Sequence, residues 1–143
     1  MNFSYSCKRH KIGKTSVNEP IIPITLFGKE NIMLNINAVL DSGSDFTLLP
    51  LEIAEVLGLK FDKKKKNKAK QYSGSNFSTT DSQVFMGISK GRSQSIKFKV
   101  KCMINLKKEN QHEDIILGST FFDHFRIHFN YPKRRFQILS PKN

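Results

Sequence analysis

Apolar residues recur at every second position through much of this chain. In Ile96-Lys-Phe-Lys-Val-Lys-Cys102, the residues Ile96, Phe98, Val100 and Cys102 alternate with Lys97, Lys99 and Lys101. That is the pattern of a strand with one buried and one wet face, and it continues to Leu106. Ile32, Leu34 and Ile36 alternate in the same way with Met33 and Asn35. Ile21 to Phe27 is a preceding strand, and Gly28-Lys-Glu-Asn31 between the two reads as a hairpin turn. Further strands are predicted at Ala38–Leu40, Phe46–Leu49, Val84–Ile88, Ile115–Leu117, Arg126–Phe129 and Arg135–Leu139. Two short helices interrupt them. Pro50 can open one over Leu51–Gly58, because the N–H it lacks is not needed at a first helical position. The other, capped by Ser119 or Thr120, runs to Phe125. Gln71 to Asp81 is polar and reads as an exposed hairpin. Residues 1 to about 18 are mixed and basic, an arm that is either mobile or recruited as an outer strand.

Length and composition add bounds to this mainly β outline. The 143 residues suit one domain, and 38% hydrophobic content with twelve Phe can fill a core. No apolar run reaches the roughly 18 residues that would cross a membrane, and the N-terminus lacks the apolar stretch of a signal peptide. Cys7 and Cys102 are too few for a disulfide scaffold and read as free thiols of a reducing compartment. Cys7 and His10 have no second ligand pair downstream, and His124 and His128 share no helical face, so no metal or cofactor is expected. The formal charge of +12 is concentrated at Lys60, Lys63, Lys64, Lys65, Lys66, Lys68 and Lys70, a self-repelling stretch expected to be a solvated loop. Such a run attracts polyanions, but no interleaved aromatic set, zinc finger or recognition helix accompanies it.

The chemistry concentrates in Ala38-Val-Leu-Asp-Ser-Gly-Ser-Asp-Phe-Thr-Leu-Leu-Pro50. An Asp-Ser-Gly tripeptide alone describes many surface turns. Here Val39 and Leu40 precede it, while Phe46, Leu48 and Leu49 follow, so Asp41 is pinned between core strands. Gly43 permits close backbone approach, and Ser42 and Ser44 supply hydroxyls to fix the carboxylates. The chain holds one such motif. Two copies meeting across a two-fold axis would bring two carboxylates together, sharing one proton and able to divide base and acid roles.

With Ile115-Ile-Leu-Gly118 downstream, this motif resembles the retropepsin-like aspartic proteases: retroviral, pararetroviral and retrotransposon enzymes and their cellular and prokaryotic relatives. The resemblance spans about Pro20 to Leu139. It implies an all-β, closed acid-protease barrel with short helices and one lobe per subunit, cleaving peptide bonds in extended polypeptides as a homodimer. By position, Asp41 resembles the catalytic aspartate, with Ser42 and Gly43 completing its loop. Asp45 matches an aspartate that binds substrate main chain, and Gly118 the glycine packed beneath the catalytic loop, with Ser44 and Thr47 as further support. The segment around Tyr72 to Thr80 resembles the mobile flap, making Tyr72, Gly74, Asn76 and Phe77 the expected substrate contacts. The implied division is a basic arm at 1–19, the protease domain at 20–139 and a tail at 140–143.

This chain departs from the retroviral members of the family it resembles in three places. Ser119 stands where those members commonly carry a bracing Arg, so that brace is absent or rebuilt. The flap is poor in glycine, and the extended ending from Ile127 to Ile138 is closer to cellular and prokaryotic relatives. The expected partners are a second copy and a peptide or polyprotein, with a weak nucleic-acid contact through Lys60–Lys70 left open and no membrane. The expected location is cytoplasmic, or virion-associated if the chain belongs to a viral or mobile-element polyprotein. Two rival readings remain: a binding or assembly domain that kept the fold without useful proteolysis, and a basic nucleic-acid-associated polyprotein segment.

Overall fold

Alternating burial is what closes this chain into a barrel. The computed structural model describes residues 2–70, 76–95, 97–107 and 115–140. The N-terminal segment supplies β1 (Asn2–Ser6), β2 (Lys8–Ile12) and β3 (Thr15–Glu19). Next come β4 (Ile21–Phe27), β5 (Met33–Leu40) and β6 (Thr47–Pro50), then helix α1 (Leu51–Leu57). Strands β7 (Asn67–Lys70), β8 (Asn76–Lys90), β9 (Ser93–Gln94) and β10 (Phe98–Asn105) form the middle of the chain. The last part holds β11 (Ile115–Leu117), α2 (Ser119–Phe122), β12 (Arg126–Asn130) and β13 (Arg135–Leu139).

Six strands run in the order β10-β6-β11-β5-β4-β8, and pairing of β8 with β10 closes the ring. The predicted all-β closed barrel with short helices is therefore the observed one. Its interior follows from the period-two pattern. Ile22, Ile24 and Leu26 point inward from β4, as do Val84, Met86 and Ile88 from β8 and Val100 and Cys102 from β10. Each such apolar side chain contributes about 1.5–3 kcal/mol when fully buried. The lysines between them, Lys99 and Lys101, lie outside.

Of the two arrangements open for the N-terminal segment, the outer strand is the one adopted. Strand β1 pairs antiparallel with β13, which pairs with β12 in a three-stranded sheet. Phe3 and Tyr5 reach the core from it, and the Tyr5 ring stacks on Phe136 at 5.3 Å. Hydrophobic anchors at every second position fix β1 despite its polar flanks.

Three local expectations need correction. The lysine run is not wholly a loop: Asn67–Lys70 pairs with β8, because Phe77, Thr79 and their neighbours offer an antiparallel edge. Strand β8 is much longer than Val84–Ile88, since it serves the barrel at one end and the β7 hairpin at the other. Helix α2 ends at Phe122 instead of Phe125, after which turn bonds from His124 and Phe125 return to Phe121 and Phe122.

Cys102 is buried and free, and Cys7 is half-buried and free. Burial, reinforced by Asp81, pushes the Cys102 thiol from 9.0 up to about 12, and burial alone raises Tyr5 from 10.0 to about 12. Both groups are neutral in the fold and ionise more readily once unfolded. Their contribution is thus complete below about pH 9 and is lost as pH rises toward 12. Denaturant titrations should show stability falling across that window, with a smaller fall in Cys102→Ala. Without denaturant, a thiol reagent should leave Cys102 unmodified over the time in which it labels Cys7.

Candidate active site

Strand β5 delivers the chain to Asp41 and β6 carries it away, yet these two strands are not neighbours. Strand β11 lies between them, parallel to β5 and antiparallel to β6. The loop of residues 41–46 must therefore arch over the end of β11, where Gly118 sits. The fit is tight. A Cβ added at Gly118 would lie 2.2 Å from the Phe46 carbonyl oxygen and 2.7 Å from that of Ser44. Since φ at Gly118 is −105°, contact and not conformation demands glycine here.

Backbone bonds fasten the arch on both sides. The Asp41 N–H donates to the Leu117 carbonyl at 2.9 Å, and the Ser119 N–H donates to the Ser44 carbonyl at 2.9 Å. Inside the loop, the Gly43 N–H donates to Asp41 Oδ1 at 2.9 Å and the Ser44 N–H to the Asp41 carbonyl at 3.1 Å. The Ser44 hydroxyl donates to the Phe46 carbonyl at 2.7 Å. The Asp41 carboxylate is thereby oriented while staying exposed on the surface of the subunit, beside exposed Ser42, Gly43 and Asp45.

A second tie was not legible as such in the sequence. Thr47 is fully buried, and its N–H donates to the Thr120 hydroxyl at 3.1 Å. The Thr120 hydroxyl in turn donates to Thr47 Oγ1 at 2.9 Å, which also receives the Gly118 N–H at 3.4 Å. Thr120 thus joins α2 to the strand leaving the loop. Ser119 contributes its backbone to this support, and its side chain is exposed. The only signal for Thr120 was a small hydroxyl residue just after the glycine, and that also suited a helix cap.

The structure thus brings Asp41, Ser42, Gly43, Ser44, Asp45, Thr47 and Gly118 into one crossing. Phe77 lies elsewhere, half-buried on β8 opposite Ala69 of β7. Tyr72 and Gly74 lie outside the described residues, as does the side chain of Asn76. Among the described residues, no group of three His, Cys, Asp or Glu is placed to hold a metal.

A family model described as eukaryotic aspartyl protease matches residues 23–140. The chain belongs to the aspartyl protease family. No curated protein matches the sequence. Among solved structures, a retropepsin-like aspartic protease from Rickettsia conorii is similar over 99% of this chain and 95% of that one, at 16% identity and a TM-score of 0.58. An EIAV protease complexed with the inhibitor HBY-793 covers 73% of this chain and 86% of its own, at 18% identity and a TM-score of 0.49. The fold of this aspartyl protease family member is accordingly of the retropepsin-like type.

Gly118→Ala should destabilise the protein by at least about 2 kcal/mol, because a methyl group cannot enter backbone-walled space without shifting it. Thr120→Val conserves volume and removes both bonds to Thr47, for an expected loss of about 1–3 kcal/mol. Thermal unfolding should show Tm reduced in both variants by several degrees, with Ser119→Ala near wild type.

Proposed function

We propose that this protein is an aspartic endopeptidase that cleaves extended polypeptides as a homodimer. The observation that carries the reading is the crossing of residues 41–46 over Gly118, which fixes one exposed carboxylate at a loop tip in a family of aspartyl proteases. Each chain supplies one Asp-Ser-Gly, so the second carboxylate is Asp41 of the partner subunit.

The chemistry follows from pairing the two. Two carboxylates meeting across a two-fold axis would hold one proton between them. The ionised member takes a proton from water, which attacks the peptide carbonyl. The protonated member donates to the carbonyl oxygen as the tetrahedral intermediate forms. On collapse, the carboxyl that took the water proton gives it to the amide nitrogen, and the other takes one back from the diol. The C–N bond then breaks, the amine leaves and the dyad is restored. Ser42 and Gly43 shape the catalytic loop, with Ser44, Thr47 and Gly118 holding it from below. Asp45, on the same exposed face, receives substrate main chain.

An extended substrate is held by strand-type hydrogen bonds, and the β7–β8 hairpin is the flap. Tyr72, Gly74, Asn76 and Phe77 are its proposed contacts. Residues 20–139 form the catalytic domain in this reading, while residues 1–19 precede it and lend β1 to the terminal sheet. Support for a dimer contact comes from β12. It is the edge of its sheet, and Phe129 and Tyr131 near its end are 37% and 56% exposed with their rings stacked at 5.6 Å. An open strand edge is a template for pairing with another chain.

Peptide-library cleavage and sedimentation mass on the same samples test this. Wild type should be dimeric and cleave members of the library. Asp41→Asn should stay dimeric and lose about 10³-fold or more in kcat, since both proton-transfer roles fail. A dimer that cleaves nothing would favour a binding or assembly domain, a reading motivated by Ser119 in the place of a bracing Arg. Retained cleavage in Asp41→Asn would remove Asp41 from the mechanism.

A further inference from the structure

A second surface lies at the end of the barrel away from Asp41. Strand register aligns Lys99 of β10, Phe85 of β8, Phe27 of β4 and Met33 of β5 in one row across the outside of the barrel. Paired residues on neighbouring strands project from the same face. Phe85 and Met33 are 42% and 61% exposed, although both are large and apolar. Lysine ammonium groups lie over the two rings: Lys97 Nζ is 4.6 Å from the Phe27 centroid and 5.1 Å from that of Phe85, and Lys99 Nζ is 5.4 Å from Phe85, so a ligand that stacks there would displace them toward its own anionic groups.

This row borders an open groove of about 560 Å³ with a floor of Phe27, Leu57, Leu59 and Phe85. Lys29, Lys60 and Lys99 stand at its rim. The groove is built on packed backbone. A Cβ added at Gly28 would lie 2.4 Å from the Leu57 carbonyl oxygen, so the β4–β5 turn is pressed against the end of α1. Lys60 also begins the lysine-rich segment of the sequence, in which Lys63 is partly engaged by Glu55 at 3.6 Å. Asp81 is the acidic member of the lining, and its carboxylate accepts from Asn67 at 3.3 Å.

We propose that this face binds single-stranded nucleic acid, with bases against Phe85 and Phe27 and phosphates along Lys97, Lys99, Lys29 and Lys60. Flat rings beside cations on an open sheet are the two components that such binding uses, since every base has a stacking face. Aromatic rings beside the cations suit a polyanion that carries bases better than an acidic peptide. The surface is also separate from the catalytic loop. Met33 and Asp41 stand at opposite ends of β5, roughly 25 Å apart at the rise of an extended strand.

Fluorescence anisotropy of a labelled oligothymidylate with the full-length protein, repeated across salt concentrations, tests the proposal without reference to peptide cleavage. Wild type should bind the single strand more tightly than a duplex of equal length. Lys97→Ala with Lys99→Ala should lower affinity at least tenfold and reduce the salt slope by about 1.4, for two lost phosphate contacts. Phe85→Ala should lower affinity about fivefold or more with the slope unchanged, which distinguishes stacking from charge. Unchanged Tm verifies that the variants fold. Three results would overturn the proposal: equal displacement by polyglutamate and oligothymidylate, duplex binding as tight as single-strand binding, or loss confined to Lys64→Ala, Lys65→Ala and Lys66→Ala with Phe85→Ala unaffected.

Discussion

The rest of the site depends on one close packing: the backbone of residues 44–46 resting on Gly118. The loop bearing Asp41 must cross over β11 because β11 separates the strands on either side of that loop. Any side chain at residue 118 would lift the arch, and with it the bonds from Asp41 to Leu117 and from Ser119 to Ser44. The exposed carboxylate is thus positioned by the topology of the barrel and by the Gly43 N–H. The Thr47–Thr120 tie extends the constraint into α2, so loop, strand and helix are fastened together.

Much of this was readable because the signals are local. The alternation of Phe98 to Cys102 and of Leu34 to Ile36 announced strands with one face more buried, although Ile32 precedes β5 and is exposed and Ile96 lies outside the described residues. The pair of Asp-Ser-Gly and Ile-Ile-Leu-Gly announced the family and hence the barrel. What escaped the sequence depended on partners distant in the chain. Asn67–Lys70 looks like a charged loop until β8 offers it an edge. Thr120 looks like a helix cap until Thr47, more than seventy residues earlier, is found beneath it. The row of Lys99, Phe85, Phe27 and Met33 has no linear signature at all, because each member comes from a different strand. Register between strands, not composition, turned scattered phenylalanines and lysines into a surface.

The barrel thereby separates two kinds of chemistry. At one end of β5 stands a single oriented carboxylate, which the proposed dimer would pair with its symmetric counterpart. At the other, cations and aromatic rings share an open face. Strand geometry keeps these ends apart, because Met33 begins β5 and Asp41 follows its last residue. The three-stranded sheet of β1, β13 and β12 is a third feature, covering the core with Phe3, Tyr5 and Phe136 while leaving the β12 edge open.

The central claim is that one active site is assembled from two copies of Asp41. Mixing wild type with Asp41→Asn at constant total concentration, with time for subunit exchange, tests it most directly. At equal proportions, only about one quarter of randomly assembled dimers carry two aspartates. Peptide cleavage should therefore fall to about a quarter of the wild-type rate, following the square of the wild-type fraction. A fall to about one half, linear in that fraction, would mean that each chain carries a complete site by itself and would contradict the account.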